Sequence, residues 1–574
     1  MSKLRFVAAS VLALTFMACK DTLVVEDQTD PDRDRALGKP ADVEAFIGST
    51  YAQIQDGTLG GSNDDVQTQL QVMGMENTSA LANFAMGPRG SIPRTPIENT
   101  RNSTGAGGNY RDFVVMHRAA RMAVMGLAAI QRLVTLGSPA QDARARAFAR
   151  FVQGVAFGNL ALVYDSASIV SETDVYPYVV PFSSYTAVMA AAYTELDSAI
   201  TIARATPGSF PLPAAWINGN ALDTTAFFRL IHSYKARFRA DVGRTPAERA
   251  AADWAAIIAD ANAGITADFT ISMNPTAGWD VVWPAQAFAT GTANWHQMSQ
   301  FWMGMADSSG GYDAWLTLAP ALRGPFLVVT RDLRFPQGTA RAAQNGDTLR
   351  AGYRTFAGSP YWRNRPPGED QPGQPLQISM YDFYKTRAFQ TAGRIGNYPI
   401  MTRAEMRLLS AEGYLRTGNF TEAINRINVS RRQTVSNTTI QTGVDTLGRP
   451  VYGPVPILDS IPNSIADTLT PIPGGAHCVP RIPDVAAAYK ASKCGNVWDA
   501  LKWEYRMETA YSGYGMWYFA ARGWGDLPEG TAMYWPVPYQ EMDARRQTFY
   551  SAGGVGGTGS SPHGNYGLFA GGVY

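Results

Sequence analysis

Residues 401–433 read MTRAEMRLLSAEGYLRTGNFTEAINRINVSRRQ, and the spacing of a few small and aromatic residues sets their architecture. Ala411, Tyr414, Gly418, Phe420, Ala423 and Ile427 recur as in two short antiparallel helices joined by a tight turn. Ala411 and Ala423 stand where the helices cross and nothing larger than a methyl fits. Tyr414 wedges against the following helix, and Gly418 supplies the left-handed turn. Such a hairpin cannot bury its apolar face alone, so it predicts neighbours of the same build.

Those neighbours are legible upstream. Residues 225–242 and 247–263 have helical periodicity and are joined by Gly243-Arg244-Thr245-Pro246, a stop followed by a start. Ala236, Ala240, Ala255, Ala256 and Ala259 let the two backbones approach. Further helices are predicted from Pro40, over 113–133, over 140–164 and over 185–203. Residues 60–110 carry Gly, Asn, Pro and Ser without periodicity and are expected to form long loops. Stretches 270–380 and 434–500 are expected to be loop-rich elaborations. The predicted fold is mainly α: a tetratricopeptide-like scaffold of helical hairpins with long loops and a few short strands. One domain is expected over 40–550, followed by a glycine-rich tail at 551–574 lying extended over the surface.

The 574-residue chain is 45% hydrophobic and 17% charged, the composition of a protein with a real core. Lys plus Arg total 49 against 48 Asp plus Glu, so no net field draws it to nucleic acid. The 13 Trp and 26 Tyr leave rings to spare for a binding surface.

At the N-terminus Lys3 and Arg5 precede an apolar run from Phe6 to Met17 and then Ala18-Cys19. The run suits a secretory signal. Its end resembles a lipobox, with Phe16 where Leu is usual, and this makes Cys19 the lipidated first residue of the mature chain. An ordinary signal cleaved elsewhere is the other reading. Residues 20–39 form a polar tether, and no other run is expected to cross a bilayer. In an exported chain Cys478 and Cys494 are expected to pair, stabilising by about 3 kcal/mol. The alternative is a metal site, for which His477 is the only nearby partner.

The segment ALKWEYRMETAYSGY at 500–514 continues through Trp517, Arg522, Trp524 and Gly525 to Pro536, Pro538 and Glu541. It resembles the late helix of the SusD/RagB family, E-x-R-x-x-E-x-A-x-x-G followed by an aromatic pair and an Arg-Trp-Gly turn, carried here by Glu504, Arg506, Glu508, Ala510 and Gly513, with one residue fewer between Arg506 and Glu508 and with Gly523 between Arg522 and Trp524. Residues 411–424 and the opening, with its lipobox, Asp30-Pro31-Asp32 and residues 42–51, are similar to the same family in the same order. Loops 60–110 and 270–380 match nothing in it. Ala520 departs from the family's usual Asp and removes an expected ion pair with Arg522. The resemblance implies a non-enzymatic lipoprotein of the outer membrane that captures nutrients, oligosaccharides above all. It implies a TonB-dependent, SusC-like transporter as partner.

Glu504 and Glu508 share one helix face and could in principle serve a glycoside hydrolase. Lys502, Arg506 and Arg522 are the expected partners of a structural role instead. Gly554-Val-Gly-Gly-Thr-Gly559 fits G-x-G-x-x-G formally but has no strand before it or helix after it. No cofactor, metal or nucleic acid is expected. The ligand site is expected among Trp279, Trp283, Trp295, Trp302, Tyr312 and Trp315, interleaved with Asn294, Gln297 and Asp313, and at Tyr361 and Trp362. Asn83, Phe84 and Arg89 form a secondary candidate. The competing functions are an exported helical glycoside hydrolase and a protein-interaction scaffold.

Overall fold

Side-chain caps mark where most of the principal helices begin. These helices are α1 (Pro40–Gly48), α2 (Thr50–Thr58), α3 (Val66–Met73), α4 (Ala106–Leu133), α5 (Pro139–Val163) and α6 (Tyr185–Ala205). They continue as α7 (Thr224–Asp241), α8 (Trp254–Ala263), α9 (Arg403–Arg416), α10 (Phe420–Arg431), α11 (Val497–Thr509) and α12 (Met516–Trp524). Asp65, Ser138, Ser184, Asp223, Asp253, Thr402 and Asn419 each accept a first-turn N–H, and Asn496 with Asp499 closes a capping box. Each such cap contributes about 1 kcal/mol. The computed structural model describes residues 37–60, 65–79, 86–91, 93–103, 106–133, 135–174, 179–281, 296–348, 361–364, 379–435, 441–444 and 446–567. The signal segment with Cys19, most of the tether, Asn83, Phe84, Trp283, Asn294 and Trp295 lie outside these residues.

The helices pack in series. α1 and α2 lie on α4, α4 on α5 and α5 on α6; α7 lies on α8, α8 on α9, and α9 on both α10 and α11. Ala411 and Ala423 are fully buried at the α9–α10 crossing. Gly418 has φ +79 with open space around its Cβ position, so conformation alone demands glycine. The strands form only two-stranded antiparallel pairs among the described residues. Phe269–Met273 with Gly396–Met401 and Trp362–Asn364 with Tyr381–Phe383 matter most, because they lead into the site. The fold is mainly α, as the hairpin spacing predicts.

Several expectations change. Residues 247–263 are not one helix: Pro246–Ala250 forms a separate five-residue helix capped by Thr245, and Asp253 then caps α8 afresh. The supposed loop 60–110 contains α3, all eight residues of which are buried. It shows no stripe because protein surrounds it, with Gln67 accepting the Gly515 N–H and donating to the Gly513 carbonyl. Asn109–Leu133 is long and apolar enough to cross a membrane, contrary to expectation. It is mostly buried against α2 and α5, as a core helix is. The glycine-rich tail, as far as residue 567, is tied down rather than draped. Ala552–Gly553 pairs with Pro96–Ile97, and the buried Tyr566 hydroxyl donates to Asp499 at 2.7 Å. Cys478 and Cys494 form a disulfide across a Cα–Cα distance of 5.8 Å, closing the hairpin Arg481–Pro483/Ser492–Cys494.

Candidate functional site

Helix α11 carries charge on two opposite faces, because residues two apart diverge by more than half a turn. Glu504 is fully buried. Its Oε2 accepts from Arg334 Nη1 at 2.7 Å and its Oε1 from Arg431 Nη1 at 3.1 Å. Arg334 also grips Asp332, Nη2 to Oδ2 2.7 Å, and Trp503 Nε1 donates to the same carboxylate. On the other face Lys502 and Arg506 both bind Asp526, each at 2.8 Å. The expected partners were therefore the wrong ones: Glu504 is held by arginines from distant segments. Arg522 meets carbonyls instead, those of Leu162, Met533 and Asp241 at 2.7–2.9 Å, which is how the chain manages with Ala520.

A second buried cluster joins the two family-like blocks. Arg249 donates through Nε and Nη2 to Glu412 at 2.9 and 2.8 Å and through Nη1 to Asp241 at 2.8 Å. Trp524 Nε1 donates to Glu412 at 3.0 Å, and Arg416 completes that carboxylate. Burial opposes the ionised form of Glu412, but Arg249 and then Arg416 outweigh it and hold the carboxyl below its usual range.

Beside these clusters opens a cleft of about 360 Å³. The start of α9 contributes Arg403, Ala404 and Arg407; the end of α11 contributes Glu508. The Trp362–Asn364/Tyr381–Phe383 pair brings Tyr361 and Lys385 to the opposite wall, and Gln433 follows α10. Glu508 is buried, yet its contacts are long: Tyr361 Oη at 3.4 Å, Gln433 Nε2 at 3.3 Å and Arg334 Nη1 at 4.0 Å. Lys385 Nζ sits 4.2 Å over the Tyr361 ring. Arg407 donates to the Arg426 carbonyl and to Ser430 Oγ, and burial pulls its guanidinium down overall, against the opposing influence of the Glu508 and Glu504 carboxylates. Thr386 also lines the cleft, and its buried hydroxyl has no hydrogen-bond partner among the described residues.

Of the expected aromatic site, Trp302, Tyr312, Trp315 and Trp362 are core, none more than 3% exposed. Tyr312 stacks on Trp315, Trp302 lies beneath the Arg506 guanidinium at 3.7 Å, and Trp362 packs on Phe383. Rings enclosed in this way present no face to a sugar, so these four leave the candidate list. Trp279 is half-buried and not in the cleft. Arg89 is buried against the Pro96 carbonyl. Of the expected aromatic residues that are described, only Tyr361 lines the cleft. Lys385, Arg403, Arg407 and Gln433 were not anticipated. The available signal was Arg403 in the first turn of α9, where the helix dipole disfavours a cation unless something else requires it.

The floor next to the cleft is strained. Tyr511 lines it with φ +55, and its N–H is held by Glu76 Oε1 at 2.6 Å. Glu76 has no cation beside it among the described residues, and burial pushes its carboxyl up from 4.5 to about 8. The folded state therefore binds the proton more tightly than the unfolded chain, and this contribution to stability is lost as pH rises from 4.5 through 8. Glu76→Gln keeps the acceptor and cannot ionise. It should match the parent near pH 4 and exceed it increasingly above, by up to about 1.4 kcal/mol per pH unit in that window. Parallel urea titrations at pH 5 and pH 8 check this, and a constant difference would refute it.

No family model matches the sequence, and no curated protein matches it. In structure the chain aligns over most of its length, at low identity, with SusD superfamily proteins. One from Bacteroides thetaiotaomicron shares 14% identity at TM-score 0.49, covering 88% of this chain and 96% of that one. One from Bacteroides vulgatus shares 12% at TM-score 0.48, covering 88% and 90%. Surface glycan-binding protein A from Bacteroides uniformis shares 12% at TM-score 0.39, covering 68% and 80%.

Proposed function

We propose that this chain is a SusD/RagB-type lipoprotein, anchored through Cys19 to the outer membrane, that captures oligosaccharides without cleaving them. It would hand them to a SusC-like, TonB-dependent transporter. The observation that carries the reading is the state of the two late-helix carboxylates. Glu504 is sealed, with both oxygens bound by arginines, while Glu508 alone reaches the cleft. A glycosidase needs two carboxyl groups flanking one bond, one to protonate and one to attack or activate water. The pair weighed for that role is divided between core and cleft. The cleft's other carboxylate, Asp268, is engaged by the Arg403 N–H, and the remaining acceptors and donors suit holding a hydroxyl-rich ligand. The other motif residues, Glu504, Arg506, Gly513, Trp517 and Trp524, we read as architecture. Gly513, for instance, has φ +82 with the Ile400 carbonyl 2.9 Å from its Cβ position.

The test is calorimetric titration of the purified full-length protein in detergent against an oligosaccharide panel, with reducing ends assayed in the same mixtures. Saturable binding with no new reducing ends is expected. Release of reducing ends would overturn the reading in favour of the hydrolase.

A further inference from the structure

Resting on the reading that this cleft holds a saccharide, we infer that its ligand is an acidic one, a sugar bearing a carboxylate or sulfate. Three cations converge on the cleft: Lys385, Arg403 and Arg407. Two carboxylates, Asp268 and Glu508, line it as well; Asp268 is engaged by the Arg403 backbone N–H at 2.8 Å, and none of the three cationic side chains forms an ion pair among the described residues. Lys385 rests over a ring, Arg403 is exposed at the start of α9, and Arg407 spends two nitrogens on a carbonyl and a hydroxyl. Three cations against two carboxylates leave an excess of positive charge, and an anion entering between unpaired cationic heads lowers their mutual repulsion.

The backbone adds to the same field. The first turn of α9 lies in the wall; Thr402 caps the Glu405 N–H and Asp268 takes that of Arg403. The Ala404 N–H has no acceptor among the described residues and stands at the positive end of a 14-residue helix. Across from the cations stands Glu508, whose long contacts leave it able to accept from ligand hydroxyls. An anionic substituent beside hydroxyls answers both halves of the site. A neutral sugar answers only the second.

The probes are trigalacturonate, its methyl ester, which keeps the skeleton and removes the charge, and a sulfated disaccharide. Calorimetry on the full-length protein should show trigalacturonate or the sulfated sugar binding at least ten-fold more tightly than the ester. Whichever anion prevails identifies the substituent. Arg403→Ala and Lys385→Ala, both at the solvent side, should each weaken the acid several-fold and leave ester binding unchanged. Added salt should weaken only the acid. Equal affinity for acid and ester, or acid binding untouched in both variants, overturns the inference while leaving saccharide capture standing. Failure to bind any of the three sugars overturns both.

Discussion

Arg249→Met is expected to destabilise the fold by about 3–5 kcal/mol, because it leaves Asp241 and Glu412 buried without their shared cation. Methionine fills similar volume, so the loss is electrostatic rather than a cavity. Arg416 stays on Glu412 and limits the damage there, whereas Asp241 loses its ion-pair partner. The effect should reach beyond α9. Trp524 donates to Glu412, and the Cβ position of Gly523 lies 2.5 Å from the Arg249 stem, so the α12 turn loses its support as well. Urea unfolding followed by tryptophan fluorescence measures this. A change under 1 kcal/mol would mean that the arginine does not join the two blocks.

Glu504→Gln should cost a similar amount, about 3–5 kcal/mol, by leaving Arg334 and Arg431 with one carboxylate fewer in a sealed site. The amide keeps the shape and its oxygen can still accept from one guanidinium. Its NH₂ group, however, faces donors. The same substitution separates the functional readings. If Glu504 is architectural, stability falls and saccharide affinity per folded molecule is retained. If it were catalytic, turnover would vanish with stability little changed. Unfolding titrations and calorimetry on one preparation distinguish these outcomes.

Much of the scaffold was legible from local rules. The hairpin 401–433 was readable because a left-handed glycine and two crossing alanines are demanded by geometry within thirty residues. Helix α3 was not, since a helix enclosed on all sides needs no stripe. The break before α8 was also missed, because Asp253 re-caps a run whose alanines would have allowed continuity. The aromatic site failed for a related reason. A sequence shows that Trp302, Tyr312 and Trp315 are numerous and near one another, but not which side of them faces solvent. Fully buried rings and ligand platforms have the same composition.

By itself the sequence determined the helical hairpin class, the pairing of Cys478 with Cys494, and the residues of the late motif. All of these depend on neighbours within a few dozen positions. Only the tertiary structure decided the roles of the charges. Arg334 meets Glu504 across 170 residues and Arg249 meets Glu412 across 163, separations that no local pattern encodes. The cleft arises in the same way, from cations at 385, 403 and 407 and carboxylates at 268 and 508 that folding crowds together. Coulomb energy depends on distance in space, and chain order carries that distance only where the backbone is regular.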